Sequence, residues 1–194
     1  MRFDAAYNVT TQALVFLGQL DPQAVGPGIE FATHYEPTPI GDFDALMKLV
    51  PADFSFSKAT FLDVGSGMGR VVMHASHYPF RHVVGVEISP ALHEIARENL
   101  GHYHDARQRC RDIRLKRADV ADYVFPPGNL LLYLYNPFSS CMFERFLGKL
   151  SASGPREIIL IYHTPVEREL IQRSSAFTLI ADQGFGVIYR AKLP

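Results

Sequence analysis

Residues 61–70 read Phe-Leu-Asp-Val-Gly-Ser-Gly-Met-Gly-Arg, and the rest of the chain is organised around them. An apolar run ends in Asp63, three glycines follow at alternate positions, and an apolar-rich segment comes next. This order predicts a buried strand, a tight turn and the start of a helix. A glycine turn before a helix brings backbone N–H groups close to a ligand, because no Cβ stands in the way.

The spacing of the glycines indicates the kind of ligand. A dinucleotide fingerprint reads G-x-G-x-x-G and binds pyrophosphate at the helix start. Here the third glycine comes one residue early, and Asp63 stands two residues before Gly65. A carboxylate at that position would repel a pyrophosphate. We therefore expect a cofactor that is cationic and carries no phosphate.

A second acid ends the next predicted strand. Glu87 follows the β-branched run 82–86 and lies 22 residues after Gly65. This offset is close to the roughly 20 residues expected of an acid that binds ribose in a strand–helix–strand unit. A carboxylate can accept both ribose hydroxyls, at about 1.5–3 kcal/mol for each charge-assisted bond. The two motifs together predict an adenosine-type cofactor; the alternative for Glu87 is a solvated acid at a strand end.

Length and composition limit the other possibilities. A chain of 194 residues, 47% of them hydrophobic, is typical of one domain with an extension. The net charge is −1, and the basic stretch 107–117 contains no aromatic residue, so we do not expect nucleic acid as a partner. The sequence has no membrane-length apolar run, signal peptide or metal-ligand spacing. We expect a cytoplasmic protein without a metal.

The chain is predicted to divide into two parts. Apolar residues at helical spacing favour an amphipathic helix over residues 4–20, with a break near residues 8–11 as an alternative. We therefore expect an N-terminal helical extension and lid at residues 1–57 and a cofactor-binding domain at residues 58–194.

A stiff segment precedes the cofactor domain. Residues 33–40 include two prolines, which force an extended path. Such a segment is a candidate lid over the cofactor, and a plain linker is the alternative. Glu36 and Thr38 are the candidates to face an amino-acid end of the cofactor. Tyr35 and His34 are candidates for the same role or for the substrate entrance.

Polar residues follow the later predicted strands. Asp119 comes after the short strand 113–116 and is expected to accept a hydrogen bond from the adenine amine, with the Val120 backbone beside it; the alternative is a turn or helix-capping aspartate. The apolar run 130–135 is typical of a buried parallel strand. Ligands bind at the carboxyl ends of such strands, so we expect residues 136–138 at the reaction centre, unless they only turn the chain.

One more residue ends a buried strand. His163 follows the predicted buried strand 157–162. It is either a pocket residue or a histidine with its hydrogen bonds satisfied in the loop.

The pattern D-x-G-x-G-x-G at residues 63–69 resembles motif I of the class I S-adenosylmethionine (AdoMet) methyltransferases. The order of elements over about residues 58–194 resembles their fold. The resemblance implies a Rossmann-like, doubly wound α/β sheet of seven mostly parallel strands with an antiparallel last hairpin. It also implies AdoMet as cofactor and S-adenosyl-L-homocysteine as product. The predicted cofactor contacts are Glu36, Thr38, Asp63, Gly65, Ser66, Gly67, Met68, Gly69, Glu87, Ile88, Asp119, Val120 and Asn136.

Finer similarities concern the acceptor. The segments 35–39, 63–70, 85–87 and 135–138 resemble a bacterial group of class I methyltransferases whose substrates are undefined, and more weakly the non-SET histone-lysine methyltransferases. Asn-Pro-Phe at residues 136–138 also resembles the N-P-P-[YF] motif of enzymes that methylate amino nitrogens, with one proline missing. In those enzymes the asparagine accepts hydrogen bonds from the target amine and the aromatic ring stacks on the substrate.

The sequence thus predicts an AdoMet-dependent methyltransferase whose acceptor is an amine of a protein or a small molecule. Asn136 would orient the amine and Phe138 would wall the pocket, since orientation alone supplies about 7–11 kcal/mol. An oxygen acceptor would instead require a base, for which His163 is the candidate. The alternatives are a non-catalytic AdoMet-binding module and an NAD(P)-dependent oxidoreductase.

Overall fold

The computed structural model describes residues 3–15, 35–137, 139–154 and 156–193. Within these ranges the strands are β1 (Ala59–Val64), β2 (His82–Glu87), β3 (Ile113–Arg117), β4 (Asn129–Tyr135), β5 (Arg156–His163), β6 (Phe177–Asp182) and β7 (Gly186–Leu193). The helices are α1 (Phe3–Tyr7), α2 (Ile40–Met47), α3 (Arg70–Ala75), α4 (Pro90–His102), α5 (Ser140–Ser151) and α6 (Arg168–Gln172), with a 3₁₀ turn at Phe56–Lys58.

The strands form one sheet in the order β3-β2-β1-β4-β5-β7-β6. Strand β7 runs antiparallel to both of its neighbours, and the other pairs are parallel. The chain starts in the middle at β1, builds outward to β3, and then returns to the other side of β1 with β4. Ligands of doubly wound sheets bind at this reversal, outside the carboxyl ends of the strands.

The central strands are apolar on both sides because helices cover both faces of the sheet. In β4, Leu130, Leu132 and Leu134 pack on the face that carries α5, whereas Leu131 and Tyr133 pack on the face that carries α2 and α3. All five side chains are buried. This arrangement fixes the register of β4 and therefore the position of the residues that follow it.

The N-terminal region differs from the prediction. A continuous helix over residues 4–20 is wrong for the described part, whereas the alternative of a break near residues 8–11 agrees with the end of helix α1 at Tyr7; residues 8–15 are not helical. Asn8 has a φ of 53°, and the Asp4 carboxylate accepts the N–H groups of Thr11 and Gln12 at 2.7 Å. These side-chain bonds replace the next helical turn. Residues 16–20 of that prediction lie outside the described residues.

Helix α2 belongs to the core of the sheet. Phe43 and Leu46 are fully buried in one cluster with Phe61 of β1. The segment assigned to the extension therefore shares a hydrophobic core with the predicted cofactor domain. Among the described helices, none combines the length and the apolar character that crossing a membrane requires.

Candidate functional site

The glycine turn joins β1 to α3. Gly65, Gly67 and Gly69 have φ values of 76°, 52° and 84°, a left-handed conformation that glycine adopts without strain. The N–H groups of Gly65 and Ser66 donate to the Val86 carbonyl at 2.9 and 3.0 Å. The N–H groups of Gly67 and Gly69 also donate within the protein. These four groups are therefore not directed at a phosphate.

Glu87 closes the turn from the end of β2. One carboxylate oxygen accepts the Gly67 N–H and the other accepts the Ser89 N–H, both at 2.8 Å. Burial raises the pKa of Glu87, and the Ser89 and Gly67 N–H groups act against that rise. Each carboxylate oxygen has a second lone pair. The Ile88 N–H also acts on this carboxylate, so at least one lone pair is left to accept a hydrogen bond from a ribose hydroxyl.

Asp63 lies beside Glu87 at the end of β1. The residue is only 4% exposed. Burial, and then the charge of Glu87, raises the pKa of Asp63 well above its usual range. Two buried carboxylates with little compensating charge lower the stability of the protein without a ligand. The same two charges favour the binding of a cationic ligand.

A pocket opens at the carboxyl ends of the central strands. Its volume is about 1180 Å³, which includes the solvent space at its mouth. Ten of the thirteen predicted cofactor contacts line it: Glu36, Thr38, Asp63, Gly65, Ser66, Glu87, Ile88, Asp119, Val120 and Asn136. The structure therefore brings together residues from five separate segments of the chain. Gly67, Met68 and Gly69 are not part of the lining.

The far side of the pocket combines apolar and polar groups. Ile88 and Val120 line the pocket together with Asp119. One Asp119 oxygen accepts the Ala121 N–H at 2.8 Å, so Asp119 also stabilises the turn that follows β3. The predicted contact with adenine and the alternative of a turn aspartate are thus compatible, and the adenine contact stays a prediction.

Ser66 lines the pocket, but its hydroxyl lies behind the pocket surface. The hydroxyl is buried and has no hydrogen-bond partner in the part of the chain that the structure describes. An added Cβ at Gly85 would lie 2.8 Å from this hydroxyl, so the hydroxyl packs against β2. The polar groups that the pocket offers to a ligand are therefore its carboxylates.

Asn136 and Thr164 form the opposite end of the pocket. They follow the adjacent parallel strands β4 and β5, and both line the pocket. Tyr162 donates from its hydroxyl to Asn136 Oδ1 at 3.1 Å. Asn136 and Thr164 have φ values of 40° and 50°, and such strained conformations cluster at functional sites. Phe138, the predicted wall of this end, lies outside the described residues.

His163 is placed behind this end of the pocket and is not part of its lining. The residue is 4% exposed, and its Nε2 lies 3.2 Å from Asp42 Oδ2. Its ring packs edge-on against Tyr135 at 4.3 Å between centroids. Of the two sequence alternatives, this position favours a histidine satisfied by its neighbours, and a role as base stays a prediction.

The N-terminal segment, residues 3–15, packs over the glycine turn. Tyr35 pairs with Val15 through two backbone hydrogen bonds of 2.8 and 3.0 Å, and its ring lies against Gly67. Arg70, directly after the turn, is 7% exposed. Its guanidinium donates to Thr11 Oγ1 at 2.6 Å and to Asp4 Oδ1 at 3.2 Å. The candidate lid is therefore in contact with the glycine turn; His34 lies outside the described residues.

Sequence reasoning missed several pocket residues. Arg70, Tyr133, Tyr135, Met142 and Thr164 line the pocket without having been predicted as site residues. Arg70 and Tyr135 directly follow and precede motif residues, so adjacency was an available signal. Nothing in the local pattern marks Met142. Among the described residues, no group of three or more His, Cys, Asp or Glu side chains is placed to hold a metal ion.

Comparisons with known proteins agree with this geometry. Residues 61–148 match the family model described as methyltransferase domain. A curated relative, ribosomal protein L11 methyltransferase of Clostridium perfringens, is 36% identical over 74 residues. That alignment covers 38% of this chain and 22% of the relative, so the chain matches only about a fifth of that protein's length.

Solved structures of similar fold differ in what they modify. An RNA methyltransferase from Salinibacter ruber, in complex with S-adenosyl-L-homocysteine, superimposes with a TM-score of 0.56 at 21% identity, over 81% of this chain and 94% of that one. The glycopeptide N-methyltransferase MtfA, complexed with AdoMet, gives 0.55 at 12% identity, over 79% and 93%. The mitomycin 7-O-methyltransferase MmcR gives 0.53 at 18% identity, over 80% and 54%.

These findings agree on the architecture and on the domain type. The predicted seven-stranded, mostly parallel, doubly wound α/β sheet is confirmed. The family match and the ligands of the similar structures support the predicted AdoMet-dependent methyltransferase domain. The chain therefore has the fold of the class I methyltransferases.

Proposed function

We propose that this protein is an AdoMet-dependent methyltransferase. The single observation that carries the proposal is the pair of buried carboxylates, Asp63 and Glu87, at the ends of β1 and β2 beside a glycine turn. AdoMet, when bound, supplies a methyl group on a cationic sulfonium, and its product is S-adenosyl-L-homocysteine. The residues present fit this cofactor, since the pocket offers the carboxylates of Asp63 and Glu87 to a cationic ligand.

Each predicted contact has a proposed role. Glu87 accepts the ribose hydroxyls, Asp119 accepts the adenine amine, and Ile88 and Val120 hold the ring between apolar side chains. Asp63 and the glycine turn, Gly65 to Gly69, face the amino-acid end of the cofactor, with Thr38 above them. The contacts that support these roles are the common lining of the pocket and the bonds that fix Glu87.

We further propose an amine of a protein or a small molecule as the acceptor. Asn136 accepts a hydrogen bond from the amine and Phe138 walls the pocket, as in the N-P-P-[YF] motif that residues 136–138 resemble. The fixed amide of Asn136 and its place in the pocket lining support this role. The similar bacterial group has undefined substrates and indicates no acceptor, whereas the weaker similarity is to enzymes that methylate a lysine amine.

Nucleic acid remains a second candidate acceptor. One relative of similar fold is an RNA methyltransferase, so the expectation that nucleic acid is not a partner receives no support from the comparisons. Within the basic stretch, however, Arg107 pairs with Asp105 and Arg114 pairs with Asp112. Pairing of these arginines reduces the positive surface available to phosphates.

Two other functions are less compatible with the site. An NAD(P)-dependent oxidoreductase would have to bind pyrophosphate at a turn whose N–H groups are engaged and whose neighbours are acids. A non-catalytic AdoMet-binding module would share every cofactor contact and differ only at the acceptor end.

Calorimetric titration with AdoMet, S-adenosyl-L-homocysteine and NADH in parallel tests the proposal. We expect binding of the first two and not of NADH. Binding of NADH alone would overturn it. Asn136→Ala then separates an enzyme from a binding module: an enzyme loses turnover and keeps AdoMet affinity, whereas unchanged turnover would remove the role assigned to Asn136.

A further inference from the structure

The open end of the pocket carries its own carboxylate. Glu36 is exposed and accepts a hydrogen bond from the Tyr135 hydroxyl at 3.0 Å. Both side chains line the pocket, and Tyr135 directly precedes Asn136 at the end of β4. The pair therefore lies beside the residue that we propose to orient the acceptor.

The position of Glu36 separates it from the other acids of the pocket. Asp63, Glu87 and Asp119 follow the ends of β1, β2 and β3, which are successive strands on one side of the reversal point. The partner of Glu36, Tyr135, ends β4 on the other side. Three acids of the pocket thus lie on the side proposed to bind the cofactor, and the fourth, Glu36, lies at the open end.

The charges around the pocket favour a cation at both ends. Within the described lining there are four carboxylates and one guanidinium, that of Arg70. Arg70 forms an ion pair with Asp4 at 3.2 Å, so its charge is largely compensated. A neutral or anionic acceptor would gain nothing from such a field, whereas an ammonium group would.

The backbone at the open end is held in a defined and strained form. Thr164 is β-branched and has a φ of 50°, which is unusual for this residue type. Its N–H donates to the Phe185 carbonyl at 2.8 Å, and its carbonyl accepts the Val166 N–H at 2.9 Å. Strain retained at a pocket wall points to a function of that wall rather than to a passive loop.

Tyr135 is suited to hold Glu36 in place. Burial, and then the hydrogen bond to Glu36, raises the pKa of Tyr135 to about 12, so its hydroxyl stays protonated and donates. The ring is fixed by its edge-on contact with His163. Because the Tyr135 hydroxyl is neutral, this bond orients the carboxylate without itself supplying a positive charge.

Resting on the proposed function, we infer that Glu36 binds the acceptor and that the acceptor arrives as a protonated amine. An alcohol brings no charge to this carboxylate, and an anionic acceptor is repelled by it.

The alternative role for Glu36 is the one predicted from the sequence, a contact with the methionine end of the cofactor. Glu36→Gln separates the two roles because it keeps the shape and the oxygen that accepts from Tyr135 but removes the charge. Glu98→Gln, at an exposed position on α4, is the matched control.

The experiment measures binding of n-butylammonium and n-butanol to the protein saturated with S-adenosyl-L-homocysteine, followed by NMR chemical-shift titration. The affinity for S-adenosyl-L-homocysteine is measured separately by calorimetry. We expect the wild type to prefer n-butylammonium, Glu36→Gln to lose about tenfold of that affinity, and the control to be unchanged. Cofactor-product affinity should be unaffected in both variants.

Three results would overturn the inference. The first is equal binding of the amine and the alcohol, or no binding of the amine, by the wild type. The second is unchanged amine affinity in Glu36→Gln. The third is a loss confined to S-adenosyl-L-homocysteine affinity, which assigns Glu36 to the cofactor. Failure of the wild type to bind S-adenosyl-L-homocysteine at all would instead refute the proposed function.

Discussion

The two ends of the pocket are built from different parts of the chain. At the cofactor end, main-chain N–H groups of Gly65, Ser66 and Gly67 fix the turn against β2. At the open end, hydrogen bonds between side chains fix the pocket residues: Tyr135 donates to Glu36, and Tyr162 donates to Asn136. The first end thus depends on backbone conformation and the second on pairs of side chains.

This difference bears on how each end can vary. A turn of left-handed glycines tolerates few substitutions, because other residues are strained in that conformation. Side-chain pairs can be exchanged without altering the strand that carries them. Structures of similar fold include an RNA methyltransferase, a glycopeptide N-methyltransferase and a mitomycin 7-O-methyltransferase, so this fold occurs in proteins with different acceptors.

Glu87→Ala is expected to produce the largest effect on the cofactor end. It removes an acceptor of two ribose hydroxyls, at about 1.5–3 kcal/mol each, and AdoMet affinity should fall by about 10²–10⁴-fold. Calorimetry measures the loss. Asn136→Ala serves as the contrast from the open end and should bind AdoMet normally. Equal losses in the two variants would contradict the division between the ends.

Gly67→Ala tests the backbone requirement of the turn. An added Cβ would lie 2.2 Å from Cε2 of Tyr35, at a φ of 52°. We expect the free energy of unfolding to fall by about 1–3 kcal/mol, as for overpacked sites, and AdoMet affinity to fall with it. Urea denaturation provides the measurement.

Gly101 provides the matched glycine for that test. It lies within α4, and an added Cβ would have no heavy atom within 4 Å. Gly101→Ala should stabilise the protein by about 0.5–1 kcal/mol through helix propensity. A similar destabilisation of both variants would show that the loss does not arise from the conformation of the glycine turn.

Asp63→Asn is expected to have a small effect on stability, opposite in sign to that of Gly67→Ala. The pKa of Asp63 is raised in the folded state, so its stabilising contribution exists below the unfolded pKa and is lost as the pH rises. At neutral pH the buried charge destabilises the empty protein. The amide should therefore raise the unfolding temperature at pH 7 by about 2–4 °C, the shift expected for roughly 1 kcal/mol.

Thermal unfolding of Asp63→Asn at several pH values checks this sign. The gain over wild type should shrink as the pH falls towards 4, while AdoMet binding at pH 7 should weaken. A lower unfolding temperature than wild type at pH 7 would mean that the carboxylate is compensated in the empty protein.

The parts of the molecule that the sequence predicts are those encoded locally. The strand, glycine turn and helix around residues 61–70 follow from neighbouring residues, and the apolar run 130–135 reads directly as a buried strand. The N-cap at Ser89, which accepts the Leu92 N–H, is equally local. Such features need no knowledge of distant contacts.

The parts that could not be predicted depend on long-range pairing. Glu36 and Tyr135 are 99 residues apart, and Asp4 and Arg70 are 66 apart. The failed helix over residues 4–20 has the same origin. Val9, one of the apolar residues that suggested it, packs instead against Met73 and Tyr103. Tertiary contact outweighs local propensity in such short segments.

Arg70 gives the N-terminal segment an electrostatic role. Its guanidinium lines the pocket, and the compensating charge comes from Asp4, at the start of the described chain. When the segment undocks, a cation is left uncompensated in a pocket lined by carboxylates that attract cations. Docking of the segment and uptake of a positively charged ligand therefore favour each other, and by thermodynamic reciprocity each strengthens the other by the same factor.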